Sequence, residues 1–208
     1  MLLGSGVALS TSRDFFANSE LRPVTPHLLA GNITNEQALL KSGRDVVSRP
    51  ELTFAIAHNL LPPATKSLLT VSGQLKHGEY IWNEKGVPSG RVTIWVDLRR
   101  QLISVFRDGH EIGTAVIVFG AEGMSSPEGT FKILKKSADY HSRTYDAAMP
   151  YSLFITDNGV ALHGSPISKR RASHGCIGLP VEFAKKLFEA SVVGDLVEIT
   201  KSGPNIPL

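Results

Sequence analysis

The stretch from His163 to Pro180, HGSPISKRRASHGCIGLP, holds the only cysteine of the chain, Cys176, together with two of its seven histidines and three consecutive cations, Lys169, Arg170 and Arg171. A structural thiol ordinarily sits among apolar neighbours and is inert. Cys176 instead has Gly175 before it and Gly178 two residues after it, with Ser173 and His174 just upstream. Nearby positive charge predicts a thiol pKa below the ordinary value, and small residues admit the backbone of a substrate. A histidine within reach would take the thiol proton, which is the requirement for nucleophilic acyl transfer. Residue types alone leave two other readings open. One is an incidental thiol. The other is a zinc site in which His163, His174 and Cys176 leave a fourth position open, although no further His or Cys falls at ligand spacing and no HExxH helix occurs.

The surrounding pattern predicts the elements that position these groups. In YSLFITDNGVALHG a hairpin is expected, with Asn158–Gly159 as a two-residue type I′ turn and His163 at the end of the second strand. PVEFAKKLFEA brings Phe183, Ala184, Leu187 and Phe188 together at helical spacing, and LVEIT follows as a last strand. Cys176 therefore lies between a hairpin and a helix. Upstream, RVTIWVDL alternates with Val92, Ile94, Val96 and Leu98 on one face. QLISVFR, a turn at Asp108–Gly109, HEIGTAVIVFG and TFKIL continue as strands. The first part reads helical: TNEQALLKSG offers Thr34 as N-cap with Gln37 and a stop at Gly43, and RPELTFAIAHNLLPP starts near Pro50 and is closed by Pro62 and Pro63. Neither repeats nor low-complexity tracts interrupt the chain.

At 208 residues, 42% hydrophobic and 20% charged, the chain has the composition of a folded protein of one domain with an accessory segment. A net charge of +3 without a basic stripe interleaved with aromatics gives no case for nucleic acid. A lone cysteine excludes an intrachain disulfide and any multi-cysteine zinc site. No apolar run is long enough for a membrane span. The opening MLLGSGVALSTS lacks a basic n-region and reads as a poor signal peptide, or as the remnant of one.

SHGCIGL resembles the SHGC signature of the L,D-transpeptidase catalytic domain, the peptidoglycan cross-linking enzymes that work through a cysteine. Four further landmarks occur in order: VTIWVDLRRQLISVFRDGHEIGTAVIVFG for the opening strands, SPEGTFKI, MPYSLFI and VALHG. The resemblance spans about Gly90 to Thr200. It implies a mainly β, sandwich-like catalytic fold with a helix after the cysteine loop, and the residues before it read as a small, partly helical N-terminal region. The corresponding domains are an accessory region over 1–88, a catalytic domain over 89–201 and a tail over 202–208. It also implies Cys176 as nucleophile, His163 as general base and later acid, and His174 as a residue lining and polarising the site. Ser173, Gly164 and the backbone around Gly175 and Cys176 would steady the loop and the oxyanion. No cofactor is implied. Stem peptides of peptidoglycan are the expected donor and acceptor, with a lipoprotein, a free D-amino acid or water as other acceptors, and the expected location is the periplasm or cell wall. A fold that has lost turnover would leave a peptidoglycan-binding module, and the metal-dependent hydrolase also stays open.

Two departures stand out. Many members carry Arg or Asn two residues after the cysteine, where this chain has Gly178; Arg170 or Arg171 would then take over the anchoring of a carboxylate. The connection from His163 to Ser173 is also short. His141 and Tyr145, in the polar segment YHSRTYDAAMPY, are candidates for lining the donor groove on a binding loop. Met149 and Phe154 read as core. Asp146 and Asp157 suit either a histidine partner or a turn, and Ser125 and Ser126 shape a loop. Leu39, Leu40, Phe54, Ile56, Leu60 and Leu61 call for burial against the catalytic domain.

Overall fold

The computed structural model describes Leu39 and residues 42–120, 125–167 and 175–201. Twelve strands and two helices fill these segments. Strands β1 (Arg44–Val46), β2 (Ser67–Leu69), β3 (Tyr80–Trp82), β4 (Val92–Asp97), β5 (Leu102–Arg107), β6 (His110–Val116), β7 (Gly129–Lys132) and β12 (Leu196–Thr200) form one sheet. Its order is β1-β2-β6-β5-β4-β12-β7, with β3 also paired to β6. Strands β8 (Lys135–Ser142), β9 (Ala147–Phe154), β10 (Ala161–Gly164) and β11 (Ile177–Leu179) form a second sheet in the order β11-β10-β9-β8. Helix α1 is Arg49–Ala57 and α2 is Val181–Ala190. The mainly β, two-sheet architecture is the expected one.

The main core lies between the sheets. The predicted stripe of Val92, Ile94, Val96 and Leu98 is buried, and it meets Ile103 and Val105 of β5, Leu153, Leu162, Ile177 and Leu179 of the second sheet, and Phe183, Ala184 and Leu187 of α2. Each such side chain contributes about 1.5–3 kcal/mol by leaving water. Lys136 of β8 donates to the carbonyls of Phe188 and Ser191 at the end of α2, and so neutralises acceptors that the helix cannot satisfy itself.

The N-terminal region differs from the expected helical module. Its described part contains one helix and three short strands, and those strands extend the same sheet that holds β4–β6. Three-residue strands carry too little alternation to be read locally. Buried Arg44 ties this region together by donating to the carbonyls of Lys85 (2.8 Å) and Asn83. Helix α1 begins where Pro50 placed it, with Glu51 accepting from the Ser48 N–H at 2.9 Å. A second small core holds Ala55, Leu60, Leu61, Leu68, Trp95 and Phe106. Phe54 and Ile56, expected in the interior, stay exposed, because α1 turns Ala55 inward and the chain after it supplies Leu60 and Leu61. The helix expected from Thr34 lies mostly outside the described residues.

Two histidines, His110 buried and His163 half-buried, make stability depend on pH. His110, whose Nδ1 lies 2.9 Å from the Ser67 hydroxyl, is held below the ordinary histidine pKa by burial and by Lys66 and Arg44, against Asp108. Burial also lowers His163, against a backbone hydrogen bond with Gly164. On acidification the unfolded chain takes up these protons first. Stability is therefore full above the unfolded value of about 6.5 and is lost as pH falls from there through the lowered folded values. The expected outcome is a Tm that falls between about pH 8 and about pH 5, with part of the fall absent in His110→Gln. A flat profile would count against neutral buried imidazoles.

Candidate active site

Strands β10 and β11 run parallel, with Leu162 opposite Ile177, His163 opposite Gly178 and Gly164 opposite Leu179. Strand side chains alternate, and Leu162, Ile177 and Leu179 face the core. His163 and Gly178 must then face the other way, and Cys176, two residues before Gly178, shares their face. Thiol and imidazole stand on adjacent strands, one pleat apart. The alternation in C-I-G-L thus explains why the sulfur is not in the core: Ile177 and Leu179 occupy that side.

His163 is half-buried, and its Nδ1 lies 2.8 Å from the Gly164 carbonyl. A carbonyl can only accept, so Nδ1 carries the proton and Nε2 holds the lone pair that accepts one. The carbonyl sets tautomer and ring orientation, the office a carboxylate performs in serine triads. Gly164, expected among the substrate-binding and oxyanion residues, supplies this acceptor. A Cβ there would lie 3.1 Å from Pro150 Cγ and 3.2 Å from the Pro150 carbonyl, so the strand before Tyr151 packs directly on it.

Cys176 is half-buried and points its Sγ at the Gly159 carbonyl, 3.9 Å away. Burial pushes its pKa up, against a backbone hydrogen bond with Ala161. This reverses the expectation of a thiol lowered by neighbouring charge: desolvation disfavours the thiolate, and the cations invoked, Lys169, Arg170 and Arg171, lie outside the described residues. With His163 lowered and Cys176 raised, the described pair rests as neutral thiol and neutral imidazole.

The turn beneath the sulfur also differs from expectation. Ile155 N–H bonds the Val160 carbonyl at 2.9 Å, closing a four-residue loop in which Gly159 takes a φ of 94° and Asn158 does not enter the left-handed region. A type I′ turn needs both. Thr156 instead donates to Asn158 Oδ1 and accepts from the Val160 N–H.

The vacancy at position 178 has a steric cause. Gly178 is bonded on its far side to Val118, N–H to carbonyl in both directions at 2.8 and 3.0 Å. A Cβ at 178 would lie 2.6 Å from Val118 Cγ2 and 3.1 Å from Ser165 Cβ. No side chain fits while Val118 stays. Gly178→Ala should destabilise the protein by about 1–3 kcal/mol, and Val118→Ala should restore part of the loss in the double variant. Denaturant unfolding of the cycle checks this; additive losses would refute the clash.

Of the other candidates, Gly175 is buried next to Cys176 with a φ of 101°. Ser173, His174 and Arg171 lie outside the described residues. The segment read as a binding loop belongs to a hairpin arm, β8–β9, because β8, KKSADYHS, is polar on both sides and gives no alternating signal. His141 and Tyr145 sit toward its tip, His141 Nε2 lying 3.6 Å from Asp146 Oδ1 and Tyr145 half exposed. Met149 is buried as expected. Phe154 is not part of the core; it stands on the face of Cys176, opposite Ala161 and Lys135. Val118 and Ser165 escaped sequence reading, since only the tertiary pairing brings them to Gly178.

Residues 91–199, just over half of the chain, match the YkuD family model, described as the L,D-transpeptidase catalytic domain. An L,D-transpeptidase (Yku) of Stackebrandtia nassauensis is similar in structure at a TM-score of 0.51 and 30% identity, over 56% of this chain and 58% of that one. L,D-transpeptidases of Mycobacterium tuberculosis and Mycobacterium smegmatis follow, each at 0.49 and 24% identity over 53% of this chain and 58% of theirs. The chain thus covers less than two thirds of these structures. No curated protein matches it significantly.

Proposed function

Since this chain belongs to the YkuD family of L,D-transpeptidase catalytic domains, we propose that it is a cysteine acyltransferase acting on peptidoglycan stem peptides outside the cytoplasmic membrane. The observation that carries this reading is the shared face of Cys176 and His163 on paired strands, with the Gly164 carbonyl holding the proton on Nδ1.

Nε2 of His163 takes the thiol proton as Sγ attacks the carbonyl joining the L-centre of a diamino acid, third in the stem peptide, to a terminal D-alanine. The carbonyl oxygen becomes an oxyanion, received by backbone N–H groups at Gly175 and Cys176 and by Ser173 and His174. Collapse breaks the C–N bond. The proton on Nε2 passes to the departing amine, D-alanine leaves, and a thioester remains on Cys176. The amine of an acceptor, a second stem peptide among them, then attacks the thioester while Nε2 removes its proton, and the thiol is regenerated. Water in the acceptor's place makes the same site a carboxypeptidase.

Because the resting pair is neutral, the thiol has to hand its proton to Nε2 before or during attack. Intact-mass spectrometry after incubation with a tetrapeptide donor or a carbapenem tests the proposal. A covalent adduct on the native protein, formed equally in the presence of a chelator, is the expected result. Absence of an adduct on folded protein would leave the binding module standing, and an adduct or turnover abolished by chelation would favour the metal hydrolase.

A further inference from the structure

We propose that the outer face of the first sheet carries a second binding site, a groove that takes a neutral glycan bearing N-acetyl groups.

The alternation along β4 makes that face. Val92, Ile94 and Val96 turn into the main core, so Trp95 and Asp97 turn outward, Trp95 into the second small core with Leu60, Leu61 and Phe106. Strand register then sets one row across five strands. Thr114 of β6 stands opposite Ser104 of β5, and Ser104 stands opposite Trp95. Trp95 is opposite Glu198 of β12, and Glu198 is opposite Thr130 of β7. Four strand spacings make the row about 19 Å long.

Two clefts lie along this row and share Trp95 as a wall. The first measures about 590 Å³ with its space open to solvent included, and it lies between Ser104, Thr114 and Trp95 of the sheet and Leu61, Val71 and Leu75 from the chain after α1. The second measures about 550 Å³, likewise with its open space, and continues over Glu198, Thr130 and Thr200, with Asn59 and Glu128 beside them.

Much of the charge in the groove is answered within it. Asp97 pairs with Arg100 at 2.9 Å, and Glu128 with Lys201 at 2.9 Å. Glu111 accepts from the Ser104 hydroxyl at 2.7 Å and from the Leu69 N–H at 2.8 Å. Such a lining favours a neutral ligand over an ion. What it offers that ligand is hydrogen bonding at strand spacing: the hydroxyls of Thr130 and Thr200, the amide of Asn59 and the carboxylate of Glu198. Ring hydroxyls of a sugar chain match that set. Trp95 is 7% exposed, and its indole N–H has no acceptor among the described residues. A buried donor left unpaired costs about 1–3 kcal/mol. An acetamido group answers both features of the first cleft, since its carbonyl supplies an acceptor for the indole and its methyl meets Leu60, Leu61 and Leu68. The groove and the face of Cys176 lie on opposite sides of the main core, so a glycan held here leaves the sulfur open.

Isothermal titration calorimetry of the full chain tests the site with three probes: the N-acetylglucosamine pentamer chitopentaose, cellopentaose, which lacks the acetamido groups, and pentalysine. Chitopentaose should bind saturably, cellopentaose at least about tenfold more weakly, and pentalysine not at all. Glu198→Ala removes an acceptor and Thr130→Arg fills the second cleft; each should raise the Kd for chitopentaose about tenfold in protein whose Tm shows it folded. Cys176→Ser should bind as the native protein does. No saturable binding of chitopentaose, equal binding of cellopentaose, preferential binding of pentalysine, or an unchanged Kd in both groove variants overturns the site. Acyl transfer fails separately: chitopentaose bound by a protein that forms no adduct on Cys176 refutes the transpeptidase reading alone, and an adduct without glycan binding refutes the groove alone.

Discussion

Replacing Cys176 with serine is expected to abolish adduct formation with a tetrapeptide or a carbapenem and to reduce transpeptidation by at least about 10³-fold. The hydroxyl is the far weaker nucleophile, and His163, lowered by burial, is a weak base for so high a pKa. The sulfur is half-buried beside a glycine carbonyl and serine nearly matches its shape, so the variant should fold with a nearly unchanged Tm. That separates loss of chemistry from loss of structure. An adduct of native stoichiometry on Cys176→Ser would place the nucleophile elsewhere and end the proposed mechanism.

His163→Gln should lower kcat/KM by about 10²–10⁴-fold, the usual span for removing a general base. The pH dependence distinguishes a base from a merely structural imidazole. His163 must be neutral to accept the proton, and its pKa lies below the ordinary histidine range, so the acid limb of kcat/KM should fall below about 6.5. That limb should vanish in His163→Gln. Iodoacetamide alkylation reports the sulfur. Because burial raises the Cys176 pKa, alkylation should be slow at neutral pH and accelerate only above the ordinary thiol range of about 8.5. Fast alkylation already at about pH 6 would reveal a thiolate–imidazolium pair and contradict the neutral resting state.

Much of this was legible residue by residue. V-T-I-W-V-D-L announces a strand because its alternation is local, although Trp95 on the other face is buried too, and the Pro50 and Pro180 positions mark helix starts because proline's constraint is local. The candidate site was legible in the same way: an isolated cysteine between glycines, a histidine at a strand end, and landmarks in a fixed order. Strand β8 was not, since polar residues on both of its sides erase the period that would reveal it. The strands before Val92 were too short to show one.

Sequence by itself determined the family, the mainly β class and the candidates proposed as nucleophile and base, because these depend on residue type and on spacing along the chain. Only the tertiary structure decided which way the sulfur faces, which nitrogen of His163 is free, in which direction each pKa moves and why position 178 carries no side chain. Those properties depend on β11 pairing in parallel with β10, on Val118, just past the end of β6, closing over Gly178, and on the depth at which the pair is buried. Each is a contact between residues distant in the chain, and no local pattern encodes it.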